Sequence, residues 1–243
     1  MVTQTLPLFK DSIEYRKSAK SLFSLYYDID CHAIIWTNGG LPMKAGVIRF
    51  KSLDVALKEL EPFIRSGDHL RRGRPFSQLG DMRSREATAN WLVCAALNGG
   101  AGTTLTFTSD PTGGDGFIVD EATGAAWPTE HVMVAKTEDG DIAAAIMKAI
   151  QSKIDKGGAA YARGKNLIVF VDAEGGPWFP NRVAQALPAD IPFASIWVVS
   201  LQSAANEIYR YAVTGLDLTD GNAPTFIVEI APDFASWRVT AIQ

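Results

Sequence analysis

Apolar positions along this chain change period several times, and each change marks an element. Residues 10–28 have helical spacing that is hard to phase, AGVIRF at 45–50 reads as a strand, and Leu53, Ala56, Leu57, Leu60 and Phe63 recur as on an amphipathic helix. Gly and Pro interrupt the stretch from Ser66 to Arg85, which reads as a loop. A helix of about 14 residues is expected from Ser84, closed by Asn98-Gly99-Gly100. Thr103–Thr108, Phe117–Glu121 and Glu130–Ala135 then read as strands, with turn residues over Ala122–Thr129 making the last two a hairpin. Asp139-Gly140-Asp141 opens a helix to about Lys156, and Asn166–Asp172 is a continuous apolar run of the buried-strand kind. A short helix over Asn181–Leu187 and strands over Ile196–Leu201, Glu207–Val213 and Thr225–Ile230 would extend the same sheet.

The order from Ser84 to Asp172 is therefore α-β-β-β-α-β, an α/β class with a mixed central sheet. Residues 1–75 read as an N-terminal αβ extension packed on the core, and 76–243 as the core with added C-terminal strands. No internal repeat or low-complexity tract is present.

Composition narrows the function more than the fold. The 243 residues are 47% hydrophobic, with 23 Lys+Arg against 27 Asp+Glu and a net charge of −4, which excludes disordered, collagen-like and coiled-coil chains. A mildly acidic chain does not coat nucleic acid through bulk charge, so such contact requires a local basic patch. Arg71, Arg72, Arg74, Arg83 and Arg85, with His69, form one, opposed only by Asp68 and Asp81. Cys31 and Cys94 have no zinc-ligand spacing and imply no disulfide framework. The N-terminus lacks a signal pattern and runs such as Leu167–Val171 are too short to span a bilayer, so a cytoplasmic protein without a membrane partner is expected.

Several polar residues fall where a core should be. At 100° per residue Glu86 lies within about 20° of Val93 and Leu97, with Asn90 about 40° away. The plain account is a first-turn Glu favoured by the helix dipole, and the functional one a carboxylate aimed at a site. On the next long helix Ile142, Ile146, Ile150 and Ile154 sweep one arc that contains Lys153, which either snorkels from the arc's edge or serves a site, whereas Lys148 lies opposite, on a solvated face. Between these helices the carboxylates are Asp110, Asp115, Asp120, Glu121 and Glu130. Gly113-Gly114-Asp115-Gly116 alone reads as a turn. Glu130, however, shares a strand face with Val132 and Val134, while His131 and Met133 face the other side. Two acids converging on one sheet edge would bind a hard divalent cation, which offsets their repulsion.

These residues resemble the core of the PD-(D/E)XK, or restriction-endonuclease-like, nuclease superfamily over about a third of the chain. The resemblance implies a three-layer core and a metal site of Mg²⁺ or Mn²⁺ held by Asp115, Glu130 and Glu86, with Asp120 a weaker substitute for Asp115. The lysine position of the (D/E)xK motif is Val132 here. Some superfamily members supply that lysine from the following helix, where Lys153 is the inward one. The implied activity is endonucleolytic hydrolysis of nucleic-acid phosphodiesters, DNA before RNA. The metal would polarise the scissile phosphate, Lys153 would stabilise its developing charge, and Arg71, Arg72, Arg74, Arg83 and Arg85 would contact backbone phosphates.

Other readings are weaker. Gly157-Gly158 to Gly164-Lys165 has the wrong spacing for a phosphate loop, and Asn166 replaces its Ser/Thr. No GxSxG occurs, His32, His69 and His131 suggest no triad, and His131 is most simply a sheet residue. The C-terminal aromatics Trp178, Phe179, Phe193, Trp197, Phe226 and Trp237 read as core and subunit interface, compatible with a homodimer, in preference to a base-stacking platform. Two alternatives to the nuclease remain: an inactive nuclease-fold binding or interaction module whose acids are structural, and a small-ligand protein with a pocket at Gly113–Gly116.

Overall fold

The computed structural model describes residues 51–243 other than 67, 72, 74–79, 81, 112, 174 and 189. The expected helix at 10–28, the strand at 45–50, Cys31, His32, Arg72, Arg74 and Asp81 lie outside the described residues. Four helices follow, α1 (Leu53–Ile64), α2 (Ser84–Ala101), α3 (Ile142–Ala162) and α4 (Pro180–Ala186), with eight strands: β1 (Leu105–Thr108), β2 (Phe117–Asp120), β3 (Ala126–Val134), β4 (Asn166–Val171), β5 (Ser195–Ala205), β6 (Ile208–Leu216), β7 (Thr225–Ile230) and β8 (Trp237–Ala241).

All eight strands join one mixed sheet in sequential order. The pairs β1–β2 and β2–β3 are antiparallel, β3–β4 and β4–β5 parallel, and the remaining three antiparallel. The parallel pairs are joined through α3 and α4, because a parallel connection must cross back over the sheet. Strand β4 is buried on both faces, which explains its unbroken apolar run: Leu167, Val169 and Val171 pack with α3 and α4, Ile168 and Phe170 with α1 and α2.

Helix α2 is the centre of the larger core. Its residues from Ser84 to Leu97 are buried except Arg85, so it carries no single apolar stripe, and it touches both β1 and β8, the two ends of a sheet that curls around it. The expected stop at Asn98-Gly99-Gly100 is not a stop. The helix continues to Ala101 and ends at Gly102, whose φ of 66° supplies the left-handed cap. Gly99 and Gly100 serve close packing instead: a Cβ on Gly99 would lie 2.6 Å from the Val239 Cβ, and one on Gly100 2.2 Å from the Phe226 Cε1. Helix α1 buries Leu53, Ala56, Leu57, Leu60 and Ile64 in the same core, and Trp91 Nε1 donates to its Leu53 carbonyl at 2.9 Å.

Three other boundaries move. Strand β3 starts at Ala126, inside the stretch read as a turn. Pro128 is tolerated there because its missing N–H is on the β4 side, one residue before β4 begins opposite Thr129. Helix α3 runs beyond Lys156 to Ala162 through a break at Gly158. Strands β5 and β6 are longer than read, β7 keeps its expected bounds Thr225–Ile230, and β8 was not anticipated, since its burial is partial and irregular. Phe193, Trp197 and Phe226 are core, Trp237 packs edge-on against Trp91 at 5.2 Å, and Phe179 alone of these six is broadly exposed. Cys94 is a free, buried thiol pushed up by burial. No helix among the described residues is long and apolar enough to cross a membrane.

Candidate active site

The site is built where the sheet changes from antiparallel to parallel pairing. Asp115 ends the loop before β2. Thr129 N–H donates to the Gly116 carbonyl at 2.8 Å, and two residues on, His131 N–H donates to Asp115 Oδ2, also at 2.8 Å. The carboxylate thus takes the acceptor place a continuing strand would have offered. His131 Nδ1 lies 3.5 Å from the same oxygen, and Asn90 Nδ2 approaches the Asp115 carbonyl at 3.5 Å. Burial by itself would raise the Asp115 carboxyl, but the His131 contacts and the charge of Lys153 prevail and hold it down to about 2. No described group donates to its second oxygen.

Glu130 lies on β3 with its side chain on the face that α3 covers, in line with Val132 and Val134. Lys153 of α3 reaches Glu130 Oε1 in a short ion pair, both side chains being nearly buried. Lys165, one residue before β4, lies 3.8 Å from Glu130 Oε2 and 3.8 Å above the ring of Tyr161. Burial first, then the nearby carboxylates of Glu130 and Asp115, push the ionisation of the Tyr161 hydroxyl well up. The break at Gly158, with φ of 64°, precedes Tyr161 by three residues, and Gly164, with φ of 76°, turns the chain into Lys165. Asp115 and Glu130 both raise the ionisation of Tyr161, and the charge of Lys153 acts on Asp115.

The other sequence-derived candidates have different surroundings. Glu86 accepts from the Arg83 N–H at 3.1 Å and lies 3.8 Å from its guanidinium, so its described contacts are those of a first-turn carboxylate at the α2 N-terminus. Asp120 serves the β2–β3 turn, accepting from Thr104, Thr123 and the Ala122 N–H. Arg71 pairs with Asp172 at 2.5 Å, beyond the far end of β4, and Arg85 lies 3.7 Å from Met133 Sδ on the α2 face. Lys148 is exposed and paired with Glu138 at 3.0 Å. A cleft of about 360 Å³ continues along α3 from Val132 and Ser152 towards Asp141, on the same face of β3 as Glu130.

Lys165 and Tyr161 were missed by the sequence reading, which weighs Lys165 only as the end of a failed phosphate loop. The sequence offered a charged residue at the mouth of a wholly apolar run, but not the strand beside which that run would lie. A second unread feature is a buried polar row, Thr129, Asn166 and Ser195, at matching positions on three strands.

Among the described residues no three His, Cys, Asp or Glu side chains converge as a metal-binding group. A set of two fits Mg²⁺, which takes one or two protein carboxylates and completes its shell with water and phosphate oxygens. Asp115 brings an ionised carboxylate with an oxygen to which no described group donates, and Glu130 a second carboxylate. Comparison with known proteins identifies no relative: no protein-family model, no curated protein and no solved structure matches the chain.

Proposed function

We propose that the protein is a metal-dependent nuclease of restriction-endonuclease-like design that hydrolyses DNA phosphodiesters. The observation that carries this reading is the arrival of Lys153, from the helix covering the β3 face, at Glu130 beside Asp115. Glu130 and Val132 point to the same side of β3, so an amine projecting from α3 onto that face replaces one projecting from position 132. Asp115 and Glu130 would hold Mg²⁺ or Mn²⁺, and Glu86, occupied at its own helix terminus, is left out of the set. When bound there, the metal supplies Lewis acidity towards a phosphate oxygen and a water. Lys153 would then place its positive charge beside the phosphate as negative charge develops, in a site where burial strengthens that interaction. His131 keeps Asp115 aimed through its backbone N–H, with the ring Nδ1 3.5 Å from the same oxygen. DNA as the substrate, and backbone contacts by the arginines, rest on the resemblance and on the local basic stretch.

A second reading, an inactive nuclease-fold interaction module, is favoured by one fact: lysines already attend both oxygens of Glu130, as in a self-contained buried ion pair. Mg²⁺ and Mn²⁺ calorimetry on wild type and Glu130→Gln, with cleavage of plasmid, linear and single-stranded DNA, separates the two. The nuclease reading expects wild type to bind metal and cleave, and the variant to fold but do neither. Cleavage by the variant, or no metal binding by wild type, refutes it; the latter result leaves the interaction module.

A further inference from the structure

Glu130 has two cationic neighbours. Lys153 holds Oε1 and Lys165 stands 3.8 Å from Oε2, so a cation coordinated by Glu130 competes with these amines for its charge. The two lysines are not equally movable. Lys153 is the nearer and the more deeply buried, on a helix pinned by Ile146 and Ile150. Lys165 is twice as exposed, 27% against 13%, and its ammonium already stands 3.8 Å over the Tyr161 ring, which supports it independently of Glu130. We propose that Lys165 is a second phosphate-binding cation of this site: Glu130 retains it until a divalent metal takes the carboxylate, whereupon it turns, still supported by Tyr161, to a non-bridging oxygen of the substrate phosphate. This assignment rests on the nuclease reading.

The consequence is a coupling that a permanently free surface lysine would not show. Without metal, Lys165 is engaged with Glu130 and contributes little to DNA binding. With metal, it contributes one phosphate contact. The test measures fluorescence anisotropy of a labelled DNA duplex with and without Ca²⁺, an oxygen-liganded cation, for wild type, Lys165→Met and Lys165→Gln, together with Ca²⁺ and Mn²⁺ calorimetry and thermal melts. With Ca²⁺ the variants are expected to bind DNA about 5–10-fold more weakly and to lose about one unit of salt slope. Without Ca²⁺ their loss is expected to stay under about twofold, and their metal affinity to be equal to or tighter than that of wild type, since a competitor for Glu130 is gone. Equal losses with and without Ca²⁺, DNA affinity unchanged in both variants, or a tenfold loss of metal affinity would each overturn the assignment. Wild type that cleaves and binds metal while the variants lose nothing refutes Lys165 alone. Wild type that binds no metal and cleaves nothing refutes the nuclease reading and this inference together.

Discussion

The Glu130–Lys153 pair can be weighed by a double-mutant cycle. Both side chains are close to fully buried, so removing one partner strands the other in a poorly solvated place, at a general cost of about 3–5 kcal/mol. One local feature reduces that figure for Lys153→Met: Lys165 can close its 3.8 Å gap to Glu130. A loss of about 2 kcal/mol is expected, and a similar loss for Glu130→Gln, where two ammonium groups lose their counter-ion. The double variant removes both charges while keeping much of the volume, so it should fall short of the summed single losses by about 2 kcal/mol. Urea unfolding of the four proteins at pH 7 in EDTA measures this coupling. Repeating the cycle in excess Mg²⁺ should shrink it, because a metal-bound Glu130 no longer depends on lysine. Coupling below about 0.5 kcal/mol in EDTA would mean that the amine and the carboxylate do not meet, and the site would lose its central contact.

Three further outcomes follow from the packing and the charges. Gly100→Ala gains helix propensity of about 1 kcal/mol but drives a methyl into the fully buried Phe226 ring, so a net loss of about 1–2 kcal/mol and a lowered Tm are expected; a raised Tm would contradict the close approach of α2 to β7. Asp115, held at about 2 against 3.8 when unfolded, contributes stability that is complete above about pH 4 and disappears as pH falls to about 2, a contribution of about 1 kcal/mol after solvent screening at its open side. The difference between wild type and Asp115→Asn in metal-free acid titrations of unfolding should therefore shrink over that window, and a constant difference would refute the depressed carboxyl. Glu86→Ala should cost about 1 kcal/mol through the α2 N-terminus and leave metal affinity within about twofold, whereas a tenfold loss of affinity would return Glu86 to the metal set.

Much of the architecture was legible because single elements carried their own signals. The run from Asn166 to Val171 could be buried on both faces only as a central strand, and the isoleucine arc of α3 assigned Lys153 to the inside and Lys148 to solvent, as the structure has them. Failures came where tertiary packing overrode a local rule. Gly99 and Gly100 are good helix stops in isolation, yet here they let β7 and β8 approach the helix, a use invisible without knowing that a sheet curls around it. Glu86 is a different case: its contacts are those of the first-turn carboxylate, one of the two accounts the sequence offered, and metal binding by its Ala variant tests the other.

The gap at Val132 shows why the site was only partly readable. For the proposed nuclease, an amine beside Glu130 is a requirement on three-dimensional position, and three backbone routes can meet it: two residues along β3, across from a helix on the same face, or from the chain entering the neighbouring parallel strand. A linear motif registers only the first. Helical phase detects the second, since Lys153 falls within the isoleucine arc that faces the sheet. The third depends on β4 lying next to β3 with Thr129 opposite Asn166, a register no local pattern encodes, and so Lys165 emerged only from the fold. With both alternative routes in use, the absence of a lysine at position 132 counts little against catalysis. What decides it is whether Glu130 can release one of its two amines to a metal, the exchange that the Lys165 variants measure.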